Sequence, residues 1–316
     1  MKKIFFALLI LAACLSSSCD KVSNPFPPAL EIDTTIYPGL WSDYVANEWP
    51  DFSTLPNEDP ERNVLIEDFT GHTCAYCPNA AVIAHDIHLA NPNRVFVASI
   101  HASNDGTNTF QTTSTAYPIK FWNTPGVNIA FAFGLGATNP TGFTGNPAGM
   151  VNRQNDAGLY FPGPIQWQTW ADNALATTLK VAVKAKVNYF ESPKHGFYLH
   201  TEVEKLDASL GELGMVTYIM EDSVVGPQLV GSVYTTDYVH RDIMRGTIDG
   251  STWGKVLTSD LMKNGKYYVD YSYIIPDQLA PQGTTSTHNA ENMHVLVYVY
   301  DTATKEILQV IKKKLL

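Results

Sequence analysis

The chain has 316 residues, is 45% hydrophobic and 11% aromatic, and carries a formal charge of −10. That is apolar material for an ample core, a length that suggests two domains, and no need for disulfides to fold. The acidic balance excludes nucleic acid as a partner and excludes a polybasic membrane contact.

Residues 1–19 lie within the opening MKKIFFALLILAACLSSSCDK, in which two lysines, an apolar run and small residues ending in cysteine read as an export signal. The run is too short to span a bilayer comfortably. Leu-Ala-Ala-Cys14 matches a lipoprotein box better by letter but leaves only about seven apolar residues. Ser-Ser-Ser-Cys19 leaves a fuller core, which favours Cys19 as the lipid acceptor, with plain secretion as the remaining alternative. Loss of Lys2 and Lys3 takes the charge from −10 to −12, so the lipid alone attaches the chain to a membrane. Residues 20–62 are proline-rich and read as a tether, with Trp41 and Trp49 packing part of it on the body.

Residues 63–178 begin with NVLIEDF (63–69), apolar enough for a central strand. A helix is predicted over 73–90, with Pro78 in its first turn and Asn91-Pro92 as its stop, then a strand over 94–101. This is a βαβ unit with GHTCAYCPNA (71–80) where the first strand turns into the helix. An Asn/Thr/Gly-rich excursion (102–146) follows, with short helices expected at 116–122 and 127–135. GNPAGMVNR brings a proline into a brief strand, and a helix is expected over 164–177. From 179 the texture changes: LKVAVKAKVN alternates strictly, and further strands are expected at 196–203, 213–220, 238–245, 266–273, 293–300 and 307–311. Their spacing predicts a β-sandwich over 179–316.

With Cys14 and Cys19 accounted for, the mature chain owns two thiols, Cys74 and Cys77. Three readings stand: a redox pair, an inert disulfide, or metal ligands. As a staple the pair is poor, since so small a loop gives only ~2 kcal/mol against ~4.7 for a hundred-residue loop. As metal ligands with His85 and His88 it fails on reach. On one helix Cys77 and His85 stand ~12 Å apart, too far for one tetrahedral ion. His85 and His88 then read as partly exposed helix residues. His72 is either a cation beside Cys74 or a turn residue facing water. His240, Arg241 and Asp242 mix charge into a strand, and NDGTN (104–108) reads as an ordinary turn rather than a calcium loop. No cofactor motif is present, and no metal site is expected. At a helix N-terminus, unpaired N–H groups and the dipole favour a Cys74 thiolate, with Cys77 placed to resolve a mixed disulfide.

The segment Asp68-Phe69-Thr70-Gly71-His72-Thr73-Cys74-Ala75-Tyr76-Cys77 resembles the active-site strand and turn of the thioredoxin superfamily. That resemblance implies a buried Asp68 that takes the Cys77 proton and a cis Pro147 facing the pair. Thr73 replaces the usual aromatic, and Ala-Tyr replaces Gly-Pro between the cysteines. Over nearly its full length, through LIEDFTGHTCAYCPNA, NPAGMVNR, DYVHRDIMRG and VYVYDTATKEIL, the chain is similar to the Omp28-related lipoproteins of Bacteroidetes. This implies a lipid-anchored envelope protein, at the outer membrane, with a thioredoxin-like α/β domain followed by an Ig-like β-sandwich. The function expected is thiol-disulfide exchange with envelope proteins. The alternative is surface binding or adhesion to an unknown ligand on a non-catalytic scaffold.

Overall fold

The computed structural model describes residues 32–103, 109–133, 144–276 and 288–316. The signal, Cys14, Cys19 and the 104–108 turn lie outside the described residues. From Ile32 onward the segment expected as a tether is packed. Helix α1 (Trp41–Asn47) carries the fully buried Tyr44, whose ring lies 4.7 Å from that of Tyr198. Its hydroxyl is 2.6 Å from His200 Nε2, and His200 Nδ1 is 2.7 Å from Asp270. Two carbonyls, of Phe52 and Leu55, accept from Lys184 Nζ. A buried aromatic and paid-for polar ends are what turn a proline-rich strand of chain into structure.

Strand β1 (Val64–Thr70), helix α2 (Cys77–Ala90) and strand β2 (Val95–His101) form the βαβ unit, with parallel register from Val64 opposite Val95 to Thr70 opposite His101. The helix starts at Cys77, later than the predicted 73. Pro78 suits a first turn, where an N–H would be unpaired anyway, and residues before it make turns instead, Cys74 N–H donating to the Gly71 carbonyl. Of the two short helices expected in the excursion, the second is present as α3 (Thr124–Phe133) and the first is absent, interrupted by Pro118. Strand β3 (Ala148–Val151) runs antiparallel to β1, Gly149 opposite Asp68, and α4 (Trp167–Leu175) follows.

The C-terminal strands are β4 (Val181–Phe190), β5 (Gly196–Lys205), β6 (Leu213–Glu221), β7 (Val224–Val230), β8 (Val233–His240), β9 (Ile243–Thr247), β10 (Lys255–Val256), β11 (Met262–Lys263), β12 (Lys266–Ile274), β13 (Met293–Asp301) and β14 (Ile307–Lys314). They do not assemble into a free-standing sandwich. One sheet runs β14-β13-β6-β9-β2-β1-β3, with β10 on β6; a second runs β11-β12-β5-β4; β7 and β8 pair as a hairpin. The large sheet therefore crosses the expected boundary at 178/179, and residues 32–316 form one compact unit. The body is mixed α/β and rich in strand, and its strand order does not divide at the expected thioredoxin/Ig-like boundary.

Burial alternation explains the layering. On one face of the large sheet, Val64, Ile66, Val95 and Val97 pack under α2 and α4, and Met215, Ile219, Val295 and Val297 pack on the four-stranded sheet. On the opposite face Leu65, Phe69, Tyr218 and Tyr298 share a core with α3. Within that core Arg153 reaches Glu67 through two hydrogen bonds of 2.8 and 2.7 Å, and it donates to the hydroxyls of Tyr218 and Tyr298. All four side chains are buried, so the ion pair ties β1 to β6 and β13 across the expected domain boundary.

Candidate functional site

Cys74 and Cys77 are joined as a disulfide, with their Cα atoms 5.4 Å apart. Cys77 opens α2 and Cys74 lies in the turn before it. Cys77 and Cys74 are 1% and 2% exposed, equally covered. Between them Tyr76 is 70% exposed, so the turn reaches solvent while its sulfurs do not.

Two segments cover the turn. On one side Gln111 donates 2.6 Å to the Thr70 carbonyl, and His72 Nε2 is 3.0 Å from the Thr112 carbonyl. A Cβ at Gly71 would stand 2.5 Å from Phe110 Cβ and 2.8 Å from its carbonyl oxygen, so only glycine allows this approach. On the other side lies the β7–β8 hairpin. Leu229 N–H donates to the His72 carbonyl at 2.8 Å and Gly231 N–H to the Ala75 carbonyl at 2.9 Å. Between them Gln228, itself 2% exposed, gives its side-chain amide to the carbonyls of Gly71 and Cys74, each at 3.2 Å.

Beneath the turn the alternation of β1 and β2 sends Asp68, Thr70, Ser99 and His101 to the α2 face. Asp68 is fully buried, and among the described residues neither carboxylate oxygen has a hydrogen-bond partner. Burial alone raises its pKa to about 7. His72 is neither a cation nor a water-facing turn residue: it is buried, and burial lowers its pKa. His101 and His240 are buried too, their rings each stacked or tilted on Phe121 with centroids 4.6 and 4.4 Å away. Burial holds His101 well below the usual imidazole range and brings His240 to about 4, so both are neutral at pH 7. Among the described residues His240 Nε2 has no hydrogen-bond partner. The Asn146–Pro147 bond is cis; it immediately precedes β3, whose register sets Ala148 beside Phe69, at the sheet end from which the cysteine turn emerges.

A cavity of about 280 Å³ lies between α2 and the β8–β9 corner. Cys77 lines it and Cys74 does not; Ala81, Val82, His101, His240 and Arg241 are among the other lining residues. His85 also faces it, while His88 Nδ1 is held 2.6 Å from the Val95 carbonyl. Among the described residues no group of three or more His, Cys, Asp or Glu side chains is arranged to hold a metal ion.

The hairpin is the part of the site that sequence reasoning missed. Its signal was present: Val230-Gly231-Ser232-Val233 puts a two-residue Gly-Ser loop between β-branched runs, and Gly231 has φ +58°. Pro227 masked the first arm, because proline demotes a strand to an edge.

Comparison with known families follows from the C-terminal part. The model of the family described as outer membrane protein Omp28 matches residues 137–316. The chain belongs to the Omp28 family. That match includes Pro147 and the hairpin and leaves Cys74 and Cys77 outside it. Among solved structures, HBP35 of Porphyromonas gingivalis superposes with a TM-score of 0.58 at 18% identity, over 81% of this chain and 76% of that one, and so shares the fold. A domain of the outer membrane lipoprotein Omp28 from Porphyromonas gingivalis aligns with a TM-score of 0.30 at 18% identity, over 43% of this chain and 87% of that one. No curated protein matches by sequence. Omp28 membership points to the envelope or outer membrane, and no helix among the described residues is long and apolar enough to cross a membrane.

Proposed function

We propose that this Omp28-family chain is an envelope protein, lipid-anchored through Cys19, whose thioredoxin-like βαβ unit performs thiol-disulfide exchange with Cys74 and Cys77. The observation that carries this reading is Asp68. A buried carboxyl with no partner costs stability and serves no packing purpose. Raised to about 7, it is poised to exchange a proton with a cysteine at neutral pH. When the disulfide opens, the departing sulfur needs a proton; when it closes, the attacking thiol must lose one. The position of Asp68, on the strand that feeds the cysteine turn and on the face that α2 covers, supports both roles.

Asp68→Asn tests this. The rate of exchange of the native protein with dithiothreitol, followed from pH 5.5 to 8.5, is expected to show in the wild type an inflection near 7 that the variant lacks. A profile unchanged by the substitution removes Asp68 from the chemistry.

A second reading has its own observation. The hairpin and the 110–112 segment bury both sulfurs, which suits a scaffold whose disulfide is structural and whose surface binds an unknown ligand. The two readings differ in whether the disulfide opens without unfolding.

A further inference from the structure

The exchange reading leaves open what reacts with a disulfide that is at most 2% exposed. A cysteine on a folded or extended polypeptide has to bring its backbone to the turn, and there the places are taken. Leu229 and Gly231 of the hairpin already donate to the carbonyls of His72 and Ala75, which is how an added strand would bind. The cavity beside Cys77 is a different approach. At about 280 Å³ it lies at or below the lower limit of about 300 Å³ for drug-sized ligands, and Cys77 is part of its wall while Cys74 is not. Ala81 and Val82 give it an apolar side, and Arg241 and Asp242 bring opposite charges to its lining. His240 presents an imidazole nitrogen with no partner among the described residues.

We propose that the reacting partner is a low-molecular-weight aminothiol of the cysteine type, which enters this cavity and attacks Cys77 rather than Cys74. This rests on the exchange reading and narrows its substrate class. The thiolate sulfur bonds to Cys77 Sγ, the Cys74–Cys77 bond breaks, and Cys74 leaves as a thiolate that takes up a proton. A second thiolate attacks the outer sulfur of the mixed disulfide; the small-molecule disulfide departs and Cys77 leaves as a thiolate, protonated in turn. Two thiols are oxidised, one protein disulfide is reduced, and the two protons released by the thiols end on Cys74 and Cys77. Arg241 pairs with the carboxylate of the aminothiol and Asp242 with its ammonium group.

The test uses the signal-free chain, oxidised, with L-cysteine, 2-mercaptoethanol, dithiothreitol and reduced insulin B chain as probes, and counts free Cys74 and Cys77 by alkylation and mass. Reduction by L-cysteine is expected to saturate with concentration. Arg241→Ala is expected to weaken it about fivefold, the order for loss of a partly exposed ion pair, without changing the rate with 2-mercaptoethanol. The insulin chain is expected not to react. Cys74→Ser incubated with cystine is expected to gain one cysteine adduct on Cys77, and Cys77→Ser to gain none on Cys74. An adduct on Cys74 instead, or an insulin chain that reacts as fast as cysteine, overturns the small-thiol inference and leaves exchange standing. A native protein that dithiothreitol does not reduce overturns both.

Discussion

Asp68 illustrates how a single buried group sets a pH dependence. Its carboxyl has a folded pKa of about 7 against about 3.9 in an unfolded chain. Between those values the folded state holds a proton that the unfolded state has lost, so stability falls as pH rises through this window. Asp68→Asn removes the penalty. The variant is expected to gain up to about 4 kcal/mol over the wild type at pH 8 and little at pH 4, read from urea unfolding at both pH values. His240 acts in the opposite sense. With a folded pKa of about 4 it contributes stability that is present above about 6.5 and lost as pH falls towards 4. Cys74, Cys77, Asp68 and Pro147 could be singled out from sequence because they sit at fixed offsets within short segments. Gln228 and His101 could not, and His240 read only as charge mixed into a strand, because their importance comes from meeting the cysteine turn across more than a hundred residues of chain or from a shared ring, Phe121.

At the scale of elements, β1, α2 and β2 were legible as a unit because each has its own local signal: an apolar run, a Pro78 start and a Pro92 stop. The β7–β8 hairpin was not, since its first arm contains Gly226 and Pro227 and its value lies in what it covers. Gln228 is the side chain by which it grips the turn. Gln228→Ala removes two of the hydrogen bonds holding the hairpin there, each worth about 1 kcal/mol. The disulfide is then expected to be reduced by dithiothreitol about tenfold faster in native buffer, with a much smaller change in the rate of global unfolding. Reduction no faster than in the wild type would mean that the hairpin does not limit access to the sulfurs.

For the whole molecule, the misleading feature was alternation. LKVAVKAKVN in β4 alternates as a half-exposed strand should, and from it the two-layer sandwich was extended to the remaining strands. The sequences of β6, LGMVTYIME, and β13, MHVLVYVYD, are near-continuous apolar runs, and all or nearly all of their residues are buried. That pattern belongs to strands covered on both faces, and these two continue the sheet that carries the cysteine turn. Two consequences follow for stability. Arg153→Met strands the buried Glu67 and breaks the tie between β1, β6 and β13, and is expected to cost about 3–5 kcal/mol in a denaturant titration. The isolated fragment 179–316 is expected to lack a cooperative thermal transition by circular dichroism, because one face of β6 and β13 loses the core it shares with Leu65, Phe69 and α3. A cooperative transition in the fragment would restore the two-domain division.

The proposed role places a reactive disulfide at the end of the large sheet, closed over by a hairpin and backed by a carboxyl whose pKa burial raises to about 7. Its most direct test is the redox equilibrium of the native, signal-free chain at pH 7 in dithiothreitol buffers of graded potential, with Cys74 and Cys77 counted by alkylation and tertiary structure followed by near-ultraviolet circular dichroism. Thiol-disulfide exchange predicts one reversible two-electron transition with the native spectrum retained throughout. Thiols that appear only in step with loss of that spectrum would contradict it and make the pair a structural staple.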